Sequence, residues 1–271
     1  MTLLTVQHLF IKDSWTNQTI VNDVNFTVDK GEVLGIIGES GSGKSVTCKA
    51  LVGLNPKRLN VEGTVTFNNV QMLTLSEMQL KKHRGKDIAM VMQQGSRAFD
   101  PSSTVGKQLV ETMKVHTQLS IQEIEATLTE YMHYMGLNNP KQILKSYPYM
   151  LSGGMLQRMM IALALALKPK LIIADEPTTA LDTITQYDVL QAFKDIKQHF
   201  DCAMIFISHD LTVINHIADR VVVMRKGQLI EEGTREAVLY QPQQAYTQYL
   251  LSTRKKVNDY FKSVLRGDSN A

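Results

Sequence analysis

The chain has 271 residues, 44% of them hydrophobic, enough for one large core or a core with a smaller satellite. Its 29 basic and 26 acidic side chains leave a net charge of +3, which argues against a nucleic-acid partner bound by phosphate neutralisation. The longest strongly apolar stretch, Met159 to Leu167, falls well short of the roughly 20 residues of a membrane span, and no basic-then-apolar leader opens the chain, so a cytoplasmic protein is expected.

In chain order, "LLTVQHLFI" (3–11) and "IVNDVNFTVDKGEVLGII" (20–37), with Lys30-Gly31 as a turn, predict short strands of an antiparallel β lobe. Val33 to Ile37, Ile88 to Met92, Leu171 to Ala174, Ala203 to Ile207 and Val221 to Met224 lack polar alternation. Such runs are expected of strands covered on both faces, hence a mainly parallel sheet with helices around it. From about residue 103 to 165 the pattern turns helical: Ser120-x-x-Glu123 reads as a capping box, and Ile124, Leu128, Tyr131 and Met135 recur at helical spacing. Met113, Met132, Met135, Met150, Met155, Met159 and Met160 read as adaptable core filler rather than a soft-metal site. Cys48 and Cys202, far apart and without a CxxC partner, read as free buried thiols. In residues 252–271, Val257, Tyr260, Phe261, Val264 and Leu265 form an apolar stripe beside basic residues, suited to docking on its own domain, a partner or a membrane surface.

Gly38-Glu39-Ser40-Gly41-Ser42-Gly43-Lys44-Ser45 fits G-x-x-x-x-G-K-[ST] between a predicted strand and a helix. Glycines let backbone N–H groups turn inward around phosphate, the helix N-terminus adds partial positive charge, Lys44 reaches the β- and γ-phosphates, and the Ser45 hydroxyl is a ligand for Mg²⁺. Alone, this loop leaves kinases, GTPases, helicases and transport ATPases open. "LIIADEP" (171–177) ends a strand in two carboxylates, Asp175 to hold Mg²⁺ through water and Glu176 to polarise the water attacking the γ-phosphate. "IFISHDL" (205–211) ends another strand in His209, placed to contact the γ-phosphate.

"LSGGMLQR" (151–158) joins these motifs, and together they resemble the ATP-binding cassette (ABC) family over about residues 3 to 251. The resemblance implies a P-loop α/β cassette with an N-terminal antiparallel β lobe and a helical subdomain at about 103–165, the domain running over 1–251 and a tail over 252–271. It implies that Gln93 in "VMQQ" senses Mg²⁺ and the attacking water, that Ala180-Leu181-Asp182 is an interface loop contacting nucleotide, that His209 is the switch histidine and that Trp15 stacks on adenine. Physically, Ser152-Gly153-Gly154 opens a helix and offers a second anion-binding terminus. Two cradles on one chain cannot grip the same phosphate, so two cassettes are expected to face head to tail, each ATP held between one Lys44-type loop and the partner's Ser152-type helix end.

Within the family, "MVMQQGSRAFDP", the segment 147–182 and "YQPQQAYTQYLL" are similar to the oligopeptide, dipeptide and nickel importer branch. Departures are Gln94-Gly95 for the usual Asp-Pro, Leu156 for a common Arg and Gln244-Ala245 for His-Pro. The short C-terminal extension resembles the nickel and metallophore importers, which implies metal or metal-chelate cargo, with di- or oligopeptide import as the alternative. The implied partners are a second, non-identical cassette, two membrane permeases, one receiving contact at Gln93 to Pro101, and an extracellular solute-binding protein, with this subunit peripheral on the cytoplasmic face. The rivals are a soluble ABC ATPase of DNA repair or translation, which usually carries tandem cassettes or long inserts, and a small-molecule kinase or GTPase, which leaves 151–158 unexplained.

Overall fold

The computed structural model describes residues 1–93, 95–179, 181–200 and 202–253, without the side chains of 96, 183 and 196–200. The apolar stripe expected in 252–271 and Ala180 of the interface loop lie outside the described residues. The chain opens with β1 (Thr2–Asp13), β2 (Thr19–Asp29) and β3 (Val33–Ile37), then α1 (Lys44–Leu51), β4 (Leu59–Phe67), β5 (Val70–Gln71), α2 (Glu77–His83) and β6 (Ile88–Val91). The helical stretch holds α3 (Val105–His116), α4 (Ile121–Tyr134), α5 (Pro140–Leu144) and α6 (Gly153–Ala166). The remainder is β7 (Leu171–Asp175), α7 (Thr183–Phe200), β8 (Ala203–Ile207), α8 (Leu211–Ile217), β9 (Arg220–Arg225), β10 (Gln228–Thr234) and α9 (Arg235–Tyr240).

A six-stranded sheet runs in the order β10-β9-β3-β8-β7-β6, parallel from β9 to β6 with an antiparallel edge at β10. Alternate residues of its central strands enter different cores. Val33, Ile172, Ala174, Met204, Phe206, Val221 and Val223 pack with α3, α4 and α6. Leu34, Ile36, Ile173, Ile205, Ile207 and Val222 pack with α1 and the β lobe. Each strand is therefore apolar on both faces, which explains the unbroken apolar runs.

The β lobe is a four-stranded antiparallel sheet, β2-β1-β4-β5. Its first strands are long, twelve and eleven residues, rather than the short ones expected. The reason is a pair of bulges: His8 (φ 47) and Asp23 (φ 53) take left-handed backbone. Buried positions consequently jump by three, from Val6 to Leu9 and from Val21 to Val24. An extra residue resets the inside-outside alternation without ending the strand. β4, β5 and α2 complete this side; α2 starts at Ser76, whose hydroxyl accepts the Gln79 N–H while the Gln79 side chain bonds back.

In the helical stretch, the Ser120 hydroxyl accepts the Glu123 N–H at 3.3 Å and the Glu123 carboxylate accepts the Ser120 N–H at 2.8 Å, closing the expected capping box. Met113, Met132, Met135, Met159 and Met160 are buried there and Met155 packs at the edge, but Met150 is 63% exposed and is not core filler. Both cysteines are free and buried. Among the described residues no helix is long and apolar enough to cross a membrane, and no group of three or more His, Cys, Asp or Glu could hold a metal.

Candidate active site

Parallel strands that share an edge end at that edge together, and β3, β8, β7 and β6 are consecutive neighbours. Their carboxyl ends deliver Gly38, His209, the Asp175–Glu176 pair and Gln93 to one place, the usual location of ligands in open α/β sheets. Gly38 is required sterically, because a Cβ there would lie 2.3 Å from the Met224 carbonyl oxygen of β9. Gly43 (φ 101) precedes α1 in left-handed backbone that only glycine adopts readily. Glu39, Ser40 and Gly41 form an exposed rim above the buried Ser42, Gly43 and Lys44. The Lys44 ammonium donates to the carbonyls of Gly38 (3.0 Å) and Glu39 (2.8 Å) and to the Ser42 hydroxyl (3.4 Å). One cation thus closes the loop around itself, at the start of α1, where the helix's backbone N–H groups and partial positive charge would face an anion.

The Ser45 hydroxyl donates to Asp175 Oδ1 at 2.8 Å, joining α1 to the end of β7. Burial raises the Asp175 carboxyl above its ordinary range, opposed by this hydrogen bond and by Lys49 and Lys44. Glu176 sits in left-handed backbone (φ 49), with its N–H donating to Ile207 O of β8 at 3.0 Å. Its two carboxylate oxygens have separate partners. Gln93 Nε2 donates to Oε2 at 2.6 Å, and His209 Nδ1 lies 3.3 Å from Oε1. The Thr179 hydroxyl adds contacts to the Glu176 carbonyl (3.2 Å) and Oε2 (3.3 Å). A carboxylate pinned at both oxygens and at its backbone has one orientation, which a general base needs.

The structure therefore brings Lys44, Ser45, Asp175, Glu176, Gln93 and His209 together. Ser152, Gly153, Gly154, Asp182 and Trp15 stand apart from them; among the described residues none of the five hydrogen-bonds to the cradle. Ser152 caps α6, its hydroxyl accepting the Met155 N–H at 3.2 Å, and a Cβ on Gly153 would meet nothing within 4 Å, so this helix end is open. Asp182 caps α7 through the Thr185 N–H and hydroxyl, which hold its carboxyl below the usual range. Trp15 is 80% exposed, with the Arg58 guanidinium 5.6 Å from its ring centre.

Three residues that touch this site escaped the motif reading. Thr179 bonds Glu176, Gln157 of α6 bonds the backbone flanking Gln93, and the Tyr246 hydroxyl accepts the Glu39 N–H at 3.4 Å while the Arg225 guanidinium lies 4.5 Å over its ring. The partners of Tyr246 and Gln157 are 207 and 62 or more residues away, a separation no local pattern reveals, whereas Thr179 stands three residues from Glu176.

A family profile described as "ABC transporter" matches residues 21–179. The chain belongs to the ABC transporter family, as an ATP-binding and ATP-hydrolysing subunit. It is 76% identical over 268 residues, 99% of each chain, to the Staphylococcus aureus (strain NCTC 8325 / PS 47) protein described as "Metal-staphylopine import system ATP-binding protein CntD". To the "Oligopeptide transport ATP-binding protein OppD" of Bacillus subtilis it is 42% identical over 235 residues, 86% of this chain and 66% of that protein. Among solved structures, the dimeric post-hydrolysis state of the ATP-binding cassette MJ0796 bound to ADP and Pi superposes with a TM-score of 0.78 at 26% identity, covering 86% of this chain and 99% of that one. ABC cassettes of importers work as dimers with membrane permeases, and the importer ATPases related to this chain act at the membrane.

Proposed function

We propose that this subunit hydrolyses ATP to drive import of a metal or metal-chelate cargo, on the cytoplasmic face of the membrane. The observation that carries the chemistry is the Glu176 carboxylate held by Gln93 at one oxygen and His209 at the other. Glu176 takes a proton from the attacking water, Gln93 and His209 fix the plane in which it does so, and Lys44 meets the β- and γ-phosphates once it leaves the loop carbonyls. The Ser45 hydroxyl and the Asp175 carboxylate, 2.8 Å apart, are hard oxygen donors suited to Mg²⁺, and Gln93 keeps its carbonyl oxygen for the same ion. Mg²⁺ held there would neutralise charge on the β- and γ-phosphate oxygens.

The open, serine-capped start of α6 supports a composite site in which Ser152, Gly153 and Gly154 meet the ATP bound by a second cassette, with Asp182 at the same interface and Trp15 stacked on adenine. We take residues 1–251 as the cassette, with the helical subdomain at 103–165, and 252–271 as a tail. The second cassette is non-identical, and two permeases and an extracellular solute-binding protein complete the machine. The cargo assignment is supported by the 76% identity to a metal-staphylopine import subunit, against 42% to an oligopeptide one.

Glu176→Gln should leave ATP binding intact and lower turnover by about 10²- to 10⁴-fold; near-normal turnover removes Glu176 from its role. Cargo is settled by transport in the reconstituted complex with its binding protein. Metal chelate should stimulate hydrolysis and enter the vesicle, whereas stimulation by peptides alone would reassign the cargo.

A further inference from the structure

Gln157 is the fifth residue of α6, one turn and a half from the Ser152 cap, and is only 1% exposed. A buried amide must find partners for both of its ends. Here Oε1 accepts the Gly95 N–H at 2.6 Å and Nε2 donates to the Met92 carbonyl at 3.1 Å. One side chain thus bridges both flanks of the short loop that carries Gln93. The loop lies hard against the helix: a Cβ on Gly95 would fall 2.7 Å from Gln157 Cα and 2.7 Å from Oε1. A proline at position 95 would have no N–H to give. Glycine supplies both the donor and the room.

The connections form a continuous path. Ser152 caps the helix, Gln157 joins that helix to the Gln93 loop, Gln93 holds Glu176, and His209 holds the other oxygen of Glu176. We infer that Gln157 is a positioning residue that makes the aim of Gln93, and through it of Glu176, depend on where α6 stands. In a dimer whose α6 start grips the partner's nucleotide, this clasp lets occupancy of one composite site set the carboxylate of the other. The inference rests on the roles proposed above for Gln93, Glu176 and Ser152.

The test is a double-mutant cycle in the reconstituted complex, using Gln157→Met, which keeps the side chain's length and removes both hydrogen bonds. The dissociation constant for ATP should stay within about twofold, because the Lys44 cradle is untouched, while kcat falls by about 10- to 100-fold. In a Gln93→Ala background the same change should cost nothing further, since a residue acting through Gln93 has nothing left to position. Gln157→Glu, retaining the acceptor for Gly95 and losing the donor to Met92, should fall between the two; it also decides the matter by the same criteria where the methionine variant does not assemble. Unchanged kcat, losses that multiply with Gln93→Ala, or ATP affinity that falls in step with kcat would each overturn the inference and leave Gln157 a structural clip. Glu176→Gln run alongside separates the failures. Full hydrolysis by that variant sinks the parent reading, whereas its loss beside a fully active Gln157→Met sinks this inference alone.

Discussion

Trp15 is the sole tryptophan, and its ring stands in solvent under a single guanidinium. A large exposed aromatic is a stacking platform with no packing to lose, and stacking on a base is worth roughly 1–3 kcal/mol. Its fluorescence should therefore start as that of a wet indole and change on ATP addition, and Lys44→Ala should abolish the response. Trp15→Ala should weaken ATP binding by about 5- to 100-fold; unaltered affinity would leave the ring without a nucleotide role. Lys44, Ser45, Asp175 and Glu176 were readable as residues because each belongs to a run whose neighbours specify it: glycines around the lysine, an apolar strand before the carboxylates. His209 carries a weaker local signal, and Gln93 was reached through family likeness. Gln157 and Tyr246 are unreadable, because a glutamine or tyrosine in a helix or loop has many uses and only the tertiary fold selects one, whereas Thr179 lies three residues from Glu176 and its contact is local.

At the scale of elements, His116 at the end of α3 lies over Gly85, where a Cβ would come within 2.4 Å of its Nε2. This contact ties the helical stretch to the turn before β6. Burial pushes the His116 imidazole below its ordinary value. The folded state then binds fewer protons than the unfolded chain in the window between the depressed value and about pH 6.5. This contribution is complete above that window, drains away as pH falls through it, and changes no further below. Thermal midpoints measured from about pH 8 to about pH 5 should therefore fall less steeply for His116→Gln than for the parent chain; parallel curves would show that the contact opens before the ring titrates. Some elements were hidden for understandable reasons. The bulges at His8 and Asp23 broke the two-residue rhythm of β1 and β2, and strands longer than their apparent pattern were the result. By contrast α2 carries Ser76-x-x-Gln79, the same local signal that marks α4, yet is not among the elements expected from the sequence.

For the whole molecule, the governing fact is that β3, which launches the phosphate loop, lies between β8 and β9. Val33 pairs with Met204 and Leu34 with Arg220, so the strand nearest the beginning of the sheet has neighbours only from far along the chain. Glu176 depends on the same late segment, through Ile207 and His209. A chain ending at residue 200 contains the complete cradle sequence and both carboxylates, yet lacks both flanks of β3. It should be digested rapidly by protease and bind no ATP, while a chain ending at residue 253 resists digestion and binds; nucleotide binding by the shorter one would mean that the cradle folds without its sheet. Distant pairing of this kind is slow to form and leaves earlier strands waiting. On the ribosome, this order acts as a safety catch: a copy that has emerged only to residue 200 carries the phosphate loop and both carboxylates but neither His209 nor the strands that flank β3, so the enzyme is armed only after β9 has left the exit tunnel.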